Sequence, residues 1–258
     1  MTTSITKLGK TEPFGLQVAE GAVGFHSVAH IFGYNPDVDS AAEEAIWPAG
    51  GTIPYLSSPV AMKVSSSSTD DTNSSGTGAR TVYIKGINNN GDEVTETVAL
   101  DGQTEVNTTK TYSFIQQISV LTVGSGGKNA GNIYVGTGTV TAGVPAVVYG
   151  IAATGENNSL TGAWVCPTGY TGYITRGSIV TGTENGANYI TGRLKVMETN
   201  GLERTAAIVT FANGDYGYDF EYPIKVTAGQ RVTATVKSTA DNEAVSSYFQ
   251  IVVVEDTP

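Results

Sequence analysis

Apolar and polar residues alternate with a period of two between residues 80 and 121. Val82 and Ile84 fall on one face of a predicted strand, and their immediate neighbours fall on the other. Asn-Gly and Asp-Gly turns follow at 88–92 and 101–102, and the apolar pattern resumes after each of them. The last stretch is a predicted third strand that carries Tyr112, Phe114, Ile118 and Val120. Alternation bounded by such turns predicts antiparallel β-hairpins.

Short apolar stretches and turns continue to the end of the chain at a spacing of about 8–12 residues, which is typical of sandwiches and jelly rolls. Residues 248–254 form a predicted closing strand. The sequence therefore predicts an all-β protein with two antiparallel domains of β-sandwich or jelly-roll-like type, at residues 53–143 and 144–258. An extended N-terminal arm, residues 1–52, precedes them.

The predicted arm stands apart because its apolar side chains follow no sustained period. Such a segment can bury little of its own surface, so we expect it to lie on its own domain or on a partner protein. The predicted docking residues are aromatic or acidic: Phe25, Phe32, Tyr34, Asp37, Asp39 and Trp47. Further along, the serine-rich stretch 65–76 has the composition of a linker, although we expect it to pack against the domain.

Composition narrows the classes of partner. The formal net charge is −10, and the 14 basic residues form no stripe along the sequence, which disfavours binding to nucleic acid or anionic membranes. No signal sequence or membrane-spanning segment is predicted. The single cysteine, Cys166, excludes an intrachain disulfide, and its apolar neighbours predict a buried structural thiol. We expect the chain to be synthesised and folded in a reducing cytoplasm.

The sequence contains few residue patterns that indicate catalysis or metal binding. His26 and His30 are four residues apart, but the neighbouring glycines disfavour the helix that would bring both side chains to one metal ion. A Ser–His–Asp site is also disfavoured, because both histidines lie in the predicted arm. Asp215, Asp219 and Glu221 could supply a pair of carboxylates, yet alternation with aromatic residues predicts a solvated acidic face. We therefore predict no catalytic residue, no metal site and no bound cofactor.

Two loops come close to ligand-binding motifs and fall short of them. Residues 88–93 resemble part of a calcium loop, but Gly86 occupies the position of the first acidic ligand. Residues 124–128 resemble a phosphate loop without the first glycine or the helix that must follow. Both are predicted to be turns.

Three interpretations are open for the aromatic residues Tyr216, Tyr218 and Tyr222. They pack on a face of the domain, they contact another copy of the chain, or they form a strip on which sugars stack.

The order of several motifs resembles the virion structural proteins of tailed bacteriophages. The run Phe-Gly-Tyr-Asn-Pro-Asp-Val-Asp at 32–39, followed by Ile46-Trp47 and Gly50-Gly51, begins the resemblance. It continues through 66–68, 76–86, 93–102 and 132–136, and so covers about residues 30–140. Segments 169–173, 223–229 and 249–254 are similar to jelly-roll domains attached to such modules, although many β-sandwiches share these signals.

The resemblance implies a non-enzymatic virion protein, most simply a capsid cement or decoration protein that bridges neighbouring capsid subunits. Its partners would be the major capsid protein or other virion proteins, and it would form a homo-oligomer, with a trimer favoured. The alternative is a neck, collar or tail-fibre component whose jelly roll binds a glycan on the host surface. A depolymerase is disfavoured, because the chain is short for a repetitive β-helix and lacks a clear acid pair.

Overall fold

The structure is a computed structural model that describes residues 6–7, 10–182, 188–212 and 214–256. The N-terminal elements are β1 (Thr6–Lys7), β2 (Lys10–Thr11), α1 (Phe14–Ala19), β3 (His26–Val38) and β4 (Glu44–Ala45). The middle elements are β5 (Val60–Ser66), β6 (Ala79–Ile87), β7 (Glu93–Ala99), β8 (Val106–Tyr112), β9 (Phe114–Val123), β10 (Ile133–Thr141) and β11 (Val144–Ala152). The C-terminal elements are β12 (Ala163–Val165), β13 (Tyr170–Thr181), β14 (Ile190–Met197), β15 (Glu203–Phe211), β16 (Gly214–Thr227), β17 (Arg231–Ser238) and β18 (Glu243–Glu255).

The predicted all-β fold is confirmed, and its larger sheets are antiparallel. A first sandwich joins a four-stranded sheet, in the order β11-β10-β5-β8, to a three-stranded sheet, β7-β6-β9. Its core draws on both sheets, with Val64 and Val135 on one side and Val82, Ile84 and Ile118 on the other. The alternation seen in the sequence is the reason, because Val82 and Ile84 of β6 point into this core, whereas Thr81, Tyr83 and Lys85 are partly exposed.

The predicted third strand of the hairpin region is two strands in two different sheets. Tyr112 ends β8, where it pairs with Val60, whereas Phe114 begins β9, where it pairs with Ile87. The chain crosses between the sheets at Ser113, whose N–H donates to the Ile87 carbonyl at 2.7 Å. Both aromatic residues are fully buried. The apolar period therefore runs through the crossing without a break, and the sequence pattern does not reveal it.

A second sandwich is formed by the C-terminal strands together with part of the predicted arm. One sheet has the order β12-β17-β14-β15, with β4 also paired to β17, and the other has the order β16-β13-β18-β3. The two sheets share a core that includes Ile174, Ile190, Val236 and Phe249. The predicted boundary at residue 143 falls inside a hairpin instead, because β11 pairs with β10 and belongs to the first sandwich.

The structure places much of residues 1–52 within the fold. Strand β3 pairs with β18 from His26 to Val38 and completes one sheet of the second sandwich. The structure thus differs from an extended docking arm, and the reason lies in the sequence pattern. Inward-facing Ile31 and outward-facing Phe32 are both apolar, so the strand lacks the contrast between faces on which the prediction depends.

A third apolar cluster joins the two sandwiches. Trp47 and Ile53 belong to what we call the N-terminal segment, the part of the chain before β5. They pack there with Phe114 and Tyr134 of the first sandwich and Val165 of the second. The N-terminal segment thus lies between the two units and helps to hold them together. No helix in the described part of the chain is both long and apolar enough to cross a membrane.

The serine-rich stretch packs around a buried carboxylate. Asp71 is fully buried, and its Oδ1 accepts hydrogen bonds from the N–H groups of Ala79 at 2.7 Å and Ala130 at 2.8 Å. Its Oδ2 accepts from the Ser66 hydroxyl at 2.5 Å and from the Gly131 N–H at 2.9 Å. These four bonds connect three separate segments of the first sandwich. A stretch with the composition of a linker is therefore ordered by polar contacts rather than by apolar burial.

Candidate functional site

The surface features that could carry function lie mainly on the second sandwich. The outer face of β3 carries the predicted docking residues Phe32 and Tyr34, which are 53% and 37% exposed. Phe32 pairs across the sheet with Tyr248, and the two rings are 4.9 Å apart. The Tyr248 hydroxyl lies 2.8 Å from Nδ1 of His30. The structure thus places Phe32 in an exposed aromatic group with Tyr248 and His30, and Tyr34 lies further along the same strand.

The remaining predicted docking residues are dispersed. Phe25 precedes β3 with a φ of 62° and is 61% exposed. At the other end of the strand, Asp37 lies within β3 and Asp39 follows it, and both are exposed. Trp47 is 2% exposed, and its indole N–H donates to the Gly50 carbonyl at 2.5 Å. A side chain buried in the cluster between the sandwiches cannot dock on a partner, so Trp47 is a core residue.

The most exposed pair of strands lies on one side of the second sandwich. Strands β15 and β16 are the outer strands of their respective sheets, and together they define what we call the β15–β16 edge, Glu203–Phe211 and Gly214–Thr227. No residue of β15 is buried, and Val226 is the buried residue of β16. Apolar side chains are nevertheless abundant there: Leu202, just before β15, and Ile208, Tyr216, Tyr218 and Tyr222 are each between 43% and 83% exposed.

The three predicted tyrosines of this edge do not act as one flat strip. Tyr216 and Tyr218 lie on the side of β16 that faces the opposite sheet, whereas Tyr222 is 83% exposed. The acidic residues Asp215 and Asp219 lie on the outer face, where Asp219 accepts a salt bridge from Arg176 at 3.1 Å. That pair is well exposed and contributes little to stability.

A cavity of about 320 Å³ opens between the two sheets at this edge. Tyr216, Tyr218 and Ile208 line its exposed end, and Ser247 and Ala234 line it further inside. Its volume is at the lower end of the range of small-molecule sites, about 300–1,000 Å³.

A second cleft, of about 400 Å³, lies where β3 meets the first sandwich. His30, Lys85, Gln117, Asn158 and Trp164 contribute to its lining, which mixes polar and aromatic groups. The Lys85 ammonium is already paired with Glu93 at 3.2 Å, so its charge is partly neutralised within the protein.

A cluster of charges ties the N-terminal segment to the second sandwich. The Glu43 carboxylate accepts from Arg193 at 2.9 Å, from Lys195 at 2.6 Å and from the Thr235 hydroxyl at 2.6 Å. Burial alone would raise the pKa of Glu43, but the hydrogen bonds from Lys195 and Thr235 and the nearby cations outweigh it, so the pKa of Glu43 is lowered. The cluster is structural, because the basic groups already have an acidic partner.

Among the described residues, the two histidines lie apart along one strand and the cysteine is buried. His26 and His30 lie four residues apart on β3, a separation of roughly 13 Å along a strand, so they cannot share one metal ion. In the described ranges, no three His, Cys, Asp or Glu side chains come together as metal ligands. Cys166 is buried, and burial raises the pKa of its thiol to about 12. At neutral pH this thiol is not a nucleophile.

Sequence reasoning missed several residues that matter in the structure. Ile208 and Ser247 lie in strands that alternate as expected, and nothing in the sequence shows that one is exposed and the other lines a cavity. Asp71 lay in an apparent linker, and its burial carries no local signal at all. The turns at 88–92 and 124–128 match their interpretation as turns, with Asn88 Oδ1 accepting from the Asp92 N–H at 3.0 Å and the Gly127 N–H donating to the Gly124 carbonyl at 3.3 Å.

Comparison with known proteins adds little. No protein-family model and no curated protein matches the chain. Among solved structures, the crystal structure of the infectious bursal disease virus VP2 subviral particle is 8% identical over 89% of this chain and 72% of that chain, with a TM-score of 0.24. The structure of the infectious bursal disease virus Gt strain is 9% identical over 96% and 83% of the two chains, with a TM-score of 0.19. Similarity at this level supports no argument about fold or function, and the all-β architecture rests on the chain's own strands.

Proposed function

We propose that this chain is a non-enzymatic structural protein of a bacteriophage virion, and that it acts as a capsid cement or decoration protein bridging neighbouring capsid subunits. The observation that carries the proposal is the β15–β16 edge, with its exposed strands and exposed apolar side chains. The outer strands of a sheet present unpaired N–H and C=O groups, which monomeric proteins usually cover or charge. An edge of this kind is suited to contact with another protein surface.

Two further features support a structural role. The sequence between about residues 30 and 140 resembles tailed-phage virion proteins in the order of its motifs. In addition, the N-terminal segment is built into the cluster between the two sandwiches, which stiffens the chain as a whole. A rigid protein loses less conformational freedom when it bridges two subunits, and therefore bridges them more tightly.

The first test concerns self-association, since a trimer or other homo-oligomer is part of the proposal. Analytical ultracentrifugation of the purified full chain should show an oligomer. The double substitution Ile208→Asp and Tyr222→Ser, at side chains that are 61% and 83% exposed, should yield monomers with unchanged circular dichroism. Val147→Asp is the matched control, because Val147 is 42% exposed on β11 of the first sandwich. A wild-type monomer, or equal dissociation by the control, would contradict this interface.

The second test concerns position in the virion. Cryo-electron microscopy of particles that contain the chain should show density in many copies, repeated over the capsid lattice and touching more than one capsid subunit. Removal of the protein should lower the temperature at which particles release DNA. A few copies confined to the tail would overturn the capsid assignment.

The second candidate is a neck, collar or tail-fibre component that binds a host-surface glycan. Exposed Tyr222 favours it, because sugars stack on aromatic rings, and the exposed carboxylate of Glu221, the preceding residue, is an acceptor for hydrogen bonds from sugar hydroxyls. Binding of the chain to a glycan array, with loss on Tyr222→Ala and retention on Tyr55→Ala, would support this candidate. Tyr55 is a suitable control at 48% exposure outside the second sandwich's strands.

A further inference from the structure

We propose that the free edge of β3, at residues 28–32, receives an extended segment of a partner protein, which adds one strand to the second sandwich. The proposal depends neither on the virion role nor on the β15–β16 edge, so each can fail without the others.

Strand β3 is the end strand of its sheet, and it pairs with β18 along one edge. The Glu255 N–H donates to the Phe25 carbonyl at 2.8 Å, so the backbone of Phe25 faces β18. The Tyr34 N–H instead donates to the Leu160 carbonyl at 3.1 Å, on the other edge. In an antiparallel pair, alternate residues direct both backbone groups toward the same neighbour. Because the register does not shift between these two points, odd-numbered residues of β3 face β18 there and even-numbered ones face away.

The backbone groups of Val28, His30 and Phe32 therefore point away from the sheet. No described residue forms a hydrogen bond with the N–H or the carbonyl of any of the three. These groups recur at every second residue over roughly 13 Å, which is the pattern that one further β-strand satisfies. A sugar or an apolar molecule has no repeat that matches this spacing.

The sequence of this edge contains no feature that would exclude another strand. Proteins protect an end strand with charged side chains, proline or a bulge, or they cover it. Residues 26–33 contain no Asp, Glu, Lys, Arg or Pro, and their pairing with β18 is regular. The edge is therefore open to a strand from another chain.

The second cleft, of about 400 Å³, lies along this edge. Its lining includes every residue from Val28 to Phe32, odd and even alike, so the backbone itself borders the space. The opposite wall belongs to the first sandwich and to the loop after β11. It includes Gln117 and Asn158, whose amides can form hydrogen bonds with the outer edge of an added strand. Because this wall stands across the cleft, a single extended segment can enter it, whereas the edge of a second folded sheet cannot.

The charges of the lining restrict the composition of the segment. The ionisable side chains of the lining are those of Lys85 and His30, and no acidic residue lines the cleft. The Lys85 ammonium is paired with Glu93 at 3.2 Å. A neutral or acidic segment therefore fits the cleft, and a lysine-rich one is disfavoured.

The test begins with a random octapeptide library displayed on phage and selected on the immobilised full chain. Counter-selection on His30→Pro removes peptides that bind elsewhere, because proline deletes one outward N–H and leaves the bonds to β18 in place. We expect neutral or acidic peptides of extended sequence to remain. His30→Ala is the matched control, because it keeps the N–H and should bind these peptides within about threefold of wild type. A selection that yields no peptide would overturn the proposal.

Synthetic copies of the selected peptides then show how they bind. Hydrogen exchange should slow by about tenfold or more at the Val28, His30 and Phe32 amides, and stay unchanged at Ala29 and Ile31. N-methylation at alternate positions of the peptide should weaken binding about tenfold, and at the intervening positions less, because one set of amides faces β3. Binding without protection of the three amides, or a methylation scan without a period of two, would contradict strand addition.

A second copy of the chain is the competing occupant. Protection of the same three amides in the chain alone, rising with its concentration, would assign the edge to self-association and overturn the proposal. If circular dichroism shows that His30→Pro does not fold, selection on the wild type followed by the exchange measurement and the methylation scan decides the question without that variant.

Discussion

Replacement of Asp71 by alanine should destabilise the first sandwich more than any comparable change at its surface. The substitution removes both acceptors of a carboxylate that is fully buried. Three backbone N–H groups, those of Ala79, Ala130 and Gly131, and the Ser66 hydroxyl would lose their partner. The small alanine side chain carries no acceptor that could replace the carboxylate.

The size of the effect follows from the number of donors. A buried donor without a partner costs about 1–3 kcal/mol. Three backbone donors therefore give a loss of at least about 3 kcal/mol, and the serine hydroxyl can turn to another partner. A loss of this size is a large share of the 5–15 kcal/mol that stabilises a typical domain. Asp71→Asn keeps one acceptor but points an amide N–H at the remaining donors, so its cost should be intermediate, about 2 kcal/mol.

Urea unfolding followed by circular dichroism measures the overall loss, and amide hydrogen exchange measures where it occurs. In the wild type, the Ala79, Ala130 and Gly131 amides should be protected, and in Asp71→Ala they should exchange much faster than amides of the second sandwich. Asp70→Ala is the matched control, because Asp70 is the adjacent residue and its side chain is exposed. It should change the free energy of unfolding by less than about 0.5 kcal/mol.

Two results would refute this reasoning. One is a loss below about 1 kcal/mol for Asp71→Ala, which would mean that the donors find other partners at little cost. The other is equal protection of the three amides in the variant and the wild type. Either result would show that the loop is held by contacts other than the buried carboxylate.

Four further outcomes are expected. Trp47→Ala should lower the free energy of unfolding by about 3–5 kcal/mol, measured by urea unfolding, because the indole is 2% exposed, whereas Phe25→Ala should change it little. Glu43 has a folded pKa below its ordinary value of 4.5, so it stabilises the fold above that pH and the effect is lost as pH falls through the folded pKa. The difference in urea midpoint between wild type and Glu43→Gln should therefore shrink between pH 7 and pH 3, and a constant difference would contradict it. Cys166, with its pKa raised to about 12, should resist iodoacetamide at pH 8 in the folded protein and react after unfolding in urea. Gly78→Ala should lower the thermal midpoint, because its Cβ would lie 2.1 Å from Oδ1 of Asp71.

Strands with one polar and one apolar face could be predicted from the sequence. In β6, Val82 and Ile84 are fully buried while the residues between and beside them are partly exposed, as the alternation predicted. The same local rule failed for β3, which carries apolar residues on both faces, because its outer face bears the aromatic group around Phe32. The rule also failed at Ser113, because the buried aromatic residues before and after it, Tyr112 and Phe114, belong to different sheets.

The candidate site could be predicted from the sequence only in part. The aromatic run Tyr216, Tyr218 and Tyr222 was visible as a feature of one strand. Its division into two tyrosines beside a cavity and one in solvent depends on the facing sheet, which is formed by residues far away in the chain. Ser247 carries no signal of its own, because serine is common at partly exposed strand positions.

The sequence by itself determined the strand period, the tight turns and the all-β class, because these depend on backbone preferences and on the alternation of side chains along a few residues. The tertiary structure alone decided that residues 26–53 complete the second sandwich and the cluster between the units. It alone decided that Asp71 is buried among backbone donors, and that a cavity opens beside Gly177. These features depend on pairing between segments that lie far apart in the chain, and local periodicity does not encode such pairing.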